Sequence, residues 1–248
     1  MTSFAEDRFQ IALDEYRVTR EAQTAKQLAS GRIDAGTRGS VTGGAHLHAL
    51  ANLLGEIFVE NGFAPQSIKQ KGMELPGFYR PSKNWDLVVV ERGILVAAIE
   101  LKSQSGSVGN NFNNRTEEAI GNALDLRRAY QAGSLGGVPP WLGYVFVLEE
   151  SPKSNSPVRV ASTPFGTDEA FRHTSYQDRY QILCRRLVSD GLYDAACFVT
   201  TSRVAGSRIT HPDPSLSFSA LQAAIADRAA SVRRLLDHSD SEASPTNR

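Results

Sequence analysis

The sequence predicts an α/β (α+β) fold in which a mixed central β-sheet is flanked by helices. Residues 87–90 and 94–99 form two apolar, β-branched runs separated only by Glu91-Arg92-Gly93, a composition typical of two strands joined by a tight turn. Between residues 45 and 149 the segments follow the order helix, strand, strand, strand, helix, strand (αβββαβ). Alternation of this kind favours a central sheet covered by helices.

We expect a single domain over residues 1–237. Its core spans about 45–149, with an N-terminal helix at 3–29 and a C-terminal helix–strand–helix extension at 174–237. Residues 238–248 are polar and are expected to be disordered.

The N-terminal helix begins at a capping box, Ser3-Phe4-Ala5-Glu6. The segment 32–44 that follows is rich in glycine, which can bring backbone N–H groups close to phosphates. The alternative is a simple connector, the commoner role of such loops. If the loop binds nucleic acid, its candidate contacts are Arg38, Ser40 and Thr42.

A second helix is expected over residues 45–61, closed by Asn61-Gly62. Its buried stripe consists of Leu47, Leu50, Leu54, Ile57 and Phe58. Glu56 lies outside this stripe. It is either solvated or a carboxylate that reaches a site on the neighbouring hairpin.

The remaining elements follow from shorter patterns. Residues 67–75 weakly predict a strand, and residues 76–84 predict a loop. Asn114-x-x-Glu117 predicts the start of a third helix that extends to Gly133. Later in the chain the patterns predict strands at 141–149 and 195–200 and helices at 175–190 and 217–237.

The polar segment 103–114 contains four asparagines. Asparagine can pair bidentately with adenine and arginine with guanine, so this segment is either a base-reading element or an ordinary flexible loop. The candidate DNA contacts here are Gln104, Asn110, Asn113, Asn114 and Arg115.

Three charged residues, Asp86, Glu100 and Lys102, lie within or beside the otherwise apolar hairpin. Glu100 and Lys102 share a strand face because side chains alternate. A turn centred on Gly93 places Asp86 directly opposite Glu100, whereas a two-residue loop alone would send the two carboxylates to opposite faces. A three-residue turn or a β-bulge is therefore required.

Two adjacent carboxylates in an apolar sheet repel each other unless a cation lies between them. Carboxylate oxygens suit Mg²⁺, which retains several water molecules when it binds to proteins. Lys102 would then stand beside the attacking water and stabilise charge on a phosphate. The pattern predicts Mg²⁺-assisted phosphodiester hydrolysis, although Glu-x-Lys alone is more often a solvated ion pair.

Composition limits the other possibilities. Lys+Arg and Asp+Glu number 27 each, so net charge does not indicate a polyanionic partner. The two cysteines, Cys184 and Cys197, are too few for a disulfide framework or a cysteine-based zinc site. No apolar run approaches the roughly 18 residues of a membrane span, and no signal-peptide pattern is present, so we expect a cytoplasmic protein.

The order of elements, with Asp86, Glu100-Leu101-Lys102 and Gln104, resembles the PD-(D/E)xK nuclease superfamily, except that Trp85 replaces the proline of that pattern. The segment QSGSVGNNFNNRTEEAIGNALDL after the hairpin and GTRGSVTGG before the second helix resemble the XhoI family of type II restriction endonucleases over most of the chain.

This resemblance implies a restriction-endonuclease-like core in a single nuclease domain. It also implies Mg²⁺-dependent cleavage of double-stranded DNA at CTCGAG by a homodimer, within a restriction–modification system whose methyltransferase forms no stable complex with it. By the same likeness, Asp86 and Glu100 bind the metal with the backbone carbonyl of Leu101, and Lys102 is the catalytic lysine. Glu56 is a further candidate ligand.

Two alternatives remain open. One is a repair or recombination nuclease of the same superfamily. The other is a DNA-binding module without catalytic activity, against which the intact Asp86, Glu100 and Lys102 argue.

Overall fold

The predicted hairpin forms the middle of a five-stranded sheet in the computed structural model. This structure describes residues 4–29, 45–70, 73–161, 163–202, 204 and 207–243. The helices are α1 Phe4–Ala29, α2 His48–Glu60, α3 Val108–Gln131, α4 Pro152–Asn155, α5 Tyr176–Ser189 and α6 Phe218–Ala243. The strands are β1 Ile68–Lys69, β2 Glu74–Pro76, β3 Ser82–Asn84, β4 Leu87–Glu91, β5 Ile94–Gln104, β6 Leu142–Glu149 and β7 Ala195–Thr201.

The sheet is mixed, as the sequence predicts. Its strand order is β1-β4-β5-β6-β7, and β2 pairs separately with β3. Strands β1, β4 and β5 are antiparallel, whereas β5, β6 and β7 run parallel. The predicted architecture of a mixed central sheet flanked by helices is confirmed.

Helices cover both faces of this sheet and create two apolar layers. Helices α1, α2 and α6 pack on one face, against strand residues such as Leu87 and Ile99. Helices α3 and α5 pack on the other face, against residues such as Val88 and Tyr144. Because both faces are buried, the central strands are apolar along almost their whole length.

The hairpin combines a two-residue turn with a β-bulge. Arg92 and Gly93 both have positive φ (48° and 77°), the backbone that a tight hairpin turn requires. Val89 pairs with Ala97 and Val90 with Leu95, so one extra residue of β5 lies between these pairs. The bulge supplies the shift that the sequence argument required.

Several elements differ from the sequence prediction, and the predicted strand at 67–75 is two short strands, β1 and β2, in separate sheets. Helix α3 begins at Val108 rather than near residue 114, because buried Val108 and partly buried Phe112 pack against the core beneath α5. The predicted loop 76–84 contains a strand, β3, paired with β2. Helix α6 continues to Ala243, into the segment predicted to be disordered, since adding residues to an existing helix is far easier than starting one.

Two sequence predictions concern features other than these helices and strands: a nucleic-acid contact in the glycine-rich segment and the lack of a membrane span. The glycine-rich segment with Arg38, Ser40 and Thr42 lies outside the described residues. None of the helices in the described part of the chain is both long and apolar enough to cross a membrane.

Candidate active site

Asp86 immediately precedes β4. Glu100 lies opposite it, on the part of β5 that extends beyond β4. Leu87 pairs with Ile99, so the same register places Asp86 opposite Glu100, as predicted. The backbone N–H of Leu101 donates a hydrogen bond to Asp86 Oδ2 (2.7 Å). In a strand, the N–H and C=O of one residue point to the same side, so the Leu101 carbonyl also faces Asp86.

Glu100 is almost fully buried, with 2% of its surface exposed. Lys83 Nζ lies 2.5 Å from Glu100 Oε2, and Lys102 Nζ lies 2.5 Å from Glu100 Oε1. Asn122 Nδ2 donates a longer hydrogen bond to Oε1 (3.3 Å). The buried carboxylate is thus compensated by two ammonium groups.

The pKa values of the two carboxyl groups shift in opposite directions. Burial alone would raise the pKa of Glu100, but the Lys102 and Lys83 ammonium groups outweigh it and lower that pKa. Burial, reinforced by the charge of Glu100, raises the pKa of Asp86, and the Leu101 hydrogen bond opposes this only in part. Asp86 thus accepts a backbone hydrogen bond, whereas the two lysine ion pairs described at this site go to Glu100.

The donor set around Asp86 fits a hard divalent cation. It comprises the two carboxylates and the Leu101 carbonyl, and a Mg²⁺ ion bound there would complete its coordination with water and phosphate oxygens. Among the described residues, no group of three or more His, Cys, Asp or Glu side chains could hold a metal ion. A cation at this site would take only the two carboxylates and the Leu101 carbonyl from the protein.

Lys102 lies where the sequence predicts, on the same strand face as Glu100. Burial lowers its pKa, but the charges of Glu100 and Asp86 outweigh this effect and raise it. The raised pKa keeps Lys102 positively charged. That charge favours a role in orienting water and stabilising negative charge.

Lys83 is a site residue that sequence reasoning missed. Its side chain is 13% exposed, and Nζ also donates to the carbonyl of Asn84 (2.9 Å) and lies 4.3 Å from the centre of the Trp85 ring. Burial lowers the pKa of Lys83, while Glu100 opposes that shift. The available signal was its position three residues before Asp86, but β3 was not predicted, so its side chain could not be placed.

A second set of contacts supports Glu100 from α3. Asn122 Oδ1 accepts a hydrogen bond from Arg80 Nη2 (2.8 Å), and Arg80 Nε pairs with Asp125 Oδ2 (2.7 Å). Asn122 and Asp125 are both buried. These side chains connect the candidate catalytic carboxylate to the segment between β2 and β3.

The structure does not bring Glu56 to this cluster. Its helix, α2, packs on the opposite face of the sheet, and its side chain is 63% exposed and paired with Arg8 (2.8 Å). The default reading of Glu56 as a solvated helical residue accounts for these contacts, and metal binding by Glu56 has no support here.

The predicted DNA contacts after β5 lie in two settings. Gln104 is buried and donates to the carbonyl of Gly106 (2.6 Å), which holds the turn that leads into α3. Arg115 has 16% of its side chain exposed and pairs with Glu118 (2.7 Å). Exposed positions on the first turns of α3 are taken by Asn110, Asn113 and Asn114. Their contacts with bases stay predictions.

Comparisons with known proteins identify the family of this chain. A family profile described as restriction endonuclease XhoI matches residues 26–212, which include the whole site. The type II restriction enzyme BstVI of Geobacillus stearothermophilus is 37% identical over 194 residues, covering 75% of this chain and 86% of that protein.

Two further relatives have similar names. The type II restriction enzyme XhoI of Xanthomonas vasicola is 42% identical over 165 residues, covering 64% of this chain and 66% of that enzyme. The type II restriction enzyme AbrI of Azospirillum brasilense is 42% identical over 162 residues, covering 63% and 72% respectively. No solved structure matches significantly. The match to the family profile, together with the BstVI relative, shows that this chain belongs to the XhoI family of restriction endonucleases.

Proposed function

We propose that this protein is a Mg²⁺-dependent type II restriction endonuclease that cleaves both strands of DNA at the palindrome CTCGAG. Membership of the XhoI family supports the reaction class. The CTCGAG site is what the resemblance to that family implies. The observation that carries the proposal is the pairing of Asp86 with Glu100 in a buried site, with Lys102 Nζ 2.5 Å from Glu100.

Each site residue has a distinct task in this reaction. Asp86, Glu100 and the Leu101 carbonyl would hold Mg²⁺. When bound, the ion supplies Lewis-acid stabilisation of the phosphate and lowers the pKa of water. Lys102 orients the attacking water and places positive charge beside the phosphate. Lys83 lies beside Glu100 and would contribute a positive charge to a neighbouring phosphate oxygen.

The proposal extends to assembly and cellular setting. Symmetrical cleavage of a palindrome requires two sites, which a homodimer provides. The protein would act in the cytoplasm beside a modification methyltransferase of the same system, without a stable complex between them.

The test uses linear double-stranded DNA with a single CTCGAG site and a control DNA with one base pair of that site changed. With Mg²⁺, the first should give two discrete fragments and the second none, and EDTA should abolish cleavage. Glu100→Gln should remove activity, while the matched control Glu169→Gln, at a side chain that is 72% exposed, should retain it.

Other outcomes would identify the alternatives. Degradation without discrete fragments would favour a repair or recombination nuclease. Binding of the duplex without any cleavage in Mg²⁺ would favour a non-catalytic DNA-binding module. Either result would overturn the proposed function.

A further inference from the structure

The tip of the small β2–β3 sheet exposes two adjacent aromatic rings. Phe78 is 46% exposed and Tyr79 is 68% exposed, and their rings meet edge to face with centroids 5.0 Å apart. Both lie in the segment 77–81, called the aromatic tip below. Two neighbouring large aromatic side chains that face solvent commonly mark a binding surface.

The aromatic tip is held rigidly. Asp125 Oδ1 accepts hydrogen bonds from the backbone N–H groups of Phe78 (2.8 Å) and Tyr79 (2.7 Å), while its Oδ2 pairs with Arg80. A Cβ atom at Gly77 would lie 2.6 Å from both the Arg80 carbonyl and Asp125 Oδ2, so only glycine fits there. Rings fixed in this way lose little conformational entropy when they bind a partner.

The aromatic tip is also close to the candidate active site. Tyr79 precedes Lys83 by four residues, so at most about 14 Å of chain separates it from a residue that contacts Glu100. That span corresponds to about four base pairs of duplex DNA. The Asn122 side chain provides a second link, since it bonds to both Arg80 and Glu100.

Two arginines lie beside these rings, and one of them, Arg80, is paired with the buried Asp125. The Arg80 side chain is 40% exposed, and the Arg128 guanidinium lies 5.0 Å from the centre of the Phe78 ring. The carboxylate of Glu74, on the same small sheet, accepts hydrogen bonds from Ser82 and Asn84. Exposed rings flanked by arginines suit a nucleic acid, whose sugars and base edges are apolar and whose phosphates are anionic.

From these observations we propose that the aromatic tip is a DNA-contacting element. Phe78 and Tyr79 pack against sugars and base edges within a few base pairs of the scissile phosphate, and Arg80 and Arg128 contact the flanking phosphates. This inference rests on the proposed function, because the duplex must lie across Asp86 and Glu100.

The test measures binding of a fluorescent 20-base-pair duplex with a central CTCGAG site, in Ca²⁺ so that a hard cation is present. Phe78→Ala/Tyr79→Ala should raise the Kd at least about tenfold, as expected when stacking contacts are lost. Phe165→Ala is the matched control, since Phe165 is 99% exposed outside the aromatic tip, and its Kd should equal that of the unmodified protein.

Two further measurements make the test decisive. Tyr79→Ala removes one largely exposed ring and should raise the Kd about threefold even if the double variant folds poorly. In cleavage assays with Mg²⁺, the double variant should show a raised KM with kcat within about twofold of the unmodified enzyme, because these rings contribute binding and do not take part in bond breaking.

The opposing results are distinct. If the unmodified protein cleaves the duplex and both tip variants match Phe165→Ala, this inference fails while the proposed function stands. If the tip variants convert a dimer into a monomer, the surface is a protein interface and the inference is overturned. If the unmodified protein neither binds nor cleaves any CTCGAG duplex, the proposed function fails and this inference with it.

Discussion

Glu100 contacts two lysines, and these side chains should contribute differently once DNA and a cation are bound. Lys102 shares a strand face with Glu100 and would stand beside the attacking water. We expect Lys102→Met, which keeps the volume and removes the charge, to lower kcat about 10²–10⁴-fold with little change in Kd. Single-turnover cleavage and equilibrium binding test this. If rate and affinity fell equally, Lys102 would bind phosphate and would not take part in the chemical step.

Lys83 approaches Glu100 from β3. If a cation bound to this carboxylate, Lys83 would be available to bind phosphate. Lys83→Met should therefore weaken binding of cognate and non-cognate duplexes alike. Loss of one phosphate contact should also reduce the slope of log Kd against log salt by about 1. Titrations at several salt concentrations measure both effects, and an unchanged slope would contradict the phosphate role.

His46 provides a residue-scale prediction about stability. Burial, with a smaller effect from the charge of Arg20, lowers the pKa of His46 to about 4, and its Nε2 lies 3.2 Å from Ser103 Oγ. Below its usual pKa near 6.5 the unfolded chain takes up a proton that the folded chain resists, so stability should fall as the pH drops from about 6.5 towards 4. At pH 5 the loss is about 2 kcal/mol.

Urea unfolding at pH 7 and pH 5 measures this effect. His46→Gln should lose less stability over that range than the unmodified protein, by about 2 kcal/mol. His173→Gln, at an exposed histidine far along the chain, is the matched control. Identical pH dependence in His46→Gln and the unmodified protein would rule out His46 as the source.

At the scale of elements, the sequence predicts the hairpin and its carboxylate pair but not the position of the bulge. The bulge lies near Val96, where the flanking residues are apolar and both sheet faces are buried. Alternation of polar and apolar residues normally reveals strand register, and it is lost when both faces are buried. Only the requirement that Asp86 face Glu100 indicated that a bulge or a longer turn was needed.

The small β2–β3 sheet was missed for a different reason. Its strands have three residues each, and Asp125, 45 positions beyond Arg80, fixes the segment between them. Contacts so distant in sequence leave no local pattern. Consequently Lys83, which depends on β3 for its position, could not be assigned to the site from sequence.

Gly77 tests whether the aromatic tip is held as tightly as its contacts indicate. An added methyl group at Gly77 would collide with the Arg80 carbonyl and Asp125 Oδ2, both at 2.6 Å. Gly77→Ala should lower the free energy of unfolding by about 1–3 kcal/mol, the usual cost of overpacking. Gly121→Ala, at an open position on α3, is the control and should leave the protein equally or more stable. If Gly77→Ala left the free energy of unfolding unchanged, the aromatic tip would not be held as tightly as its contacts indicate.

At the scale of the whole molecule, helices build an apolar layer on each face of the sheet, and the site lies on only one of these faces. Helices α1, α2 and α6 pack on the face opposite Glu100, whereas α3 supplies Asn122 and Asp125 to the site. The family match ends at residue 212, before α6 begins at Phe218. The candidate site therefore lies within the part of the chain that matches the family, and α6 packs on the core outside that part.

The final prediction concerns assembly. One 27.0 kDa chain carries one Asp86–Glu100 site, yet cleavage of both strands at a palindrome needs two sites related by the twofold axis of the DNA. The formal net charge is zero, so sequence-independent attraction to DNA should be weak and base contacts should dominate discrimination, at about 1–3 kcal/mol per wrong base pair. Sedimentation with a CTCGAG duplex should give two chains per duplex, while a duplex with both half-sites changed should leave most of the protein unbound. A single chain bound to each cleaved duplex would overturn the twofold arrangement.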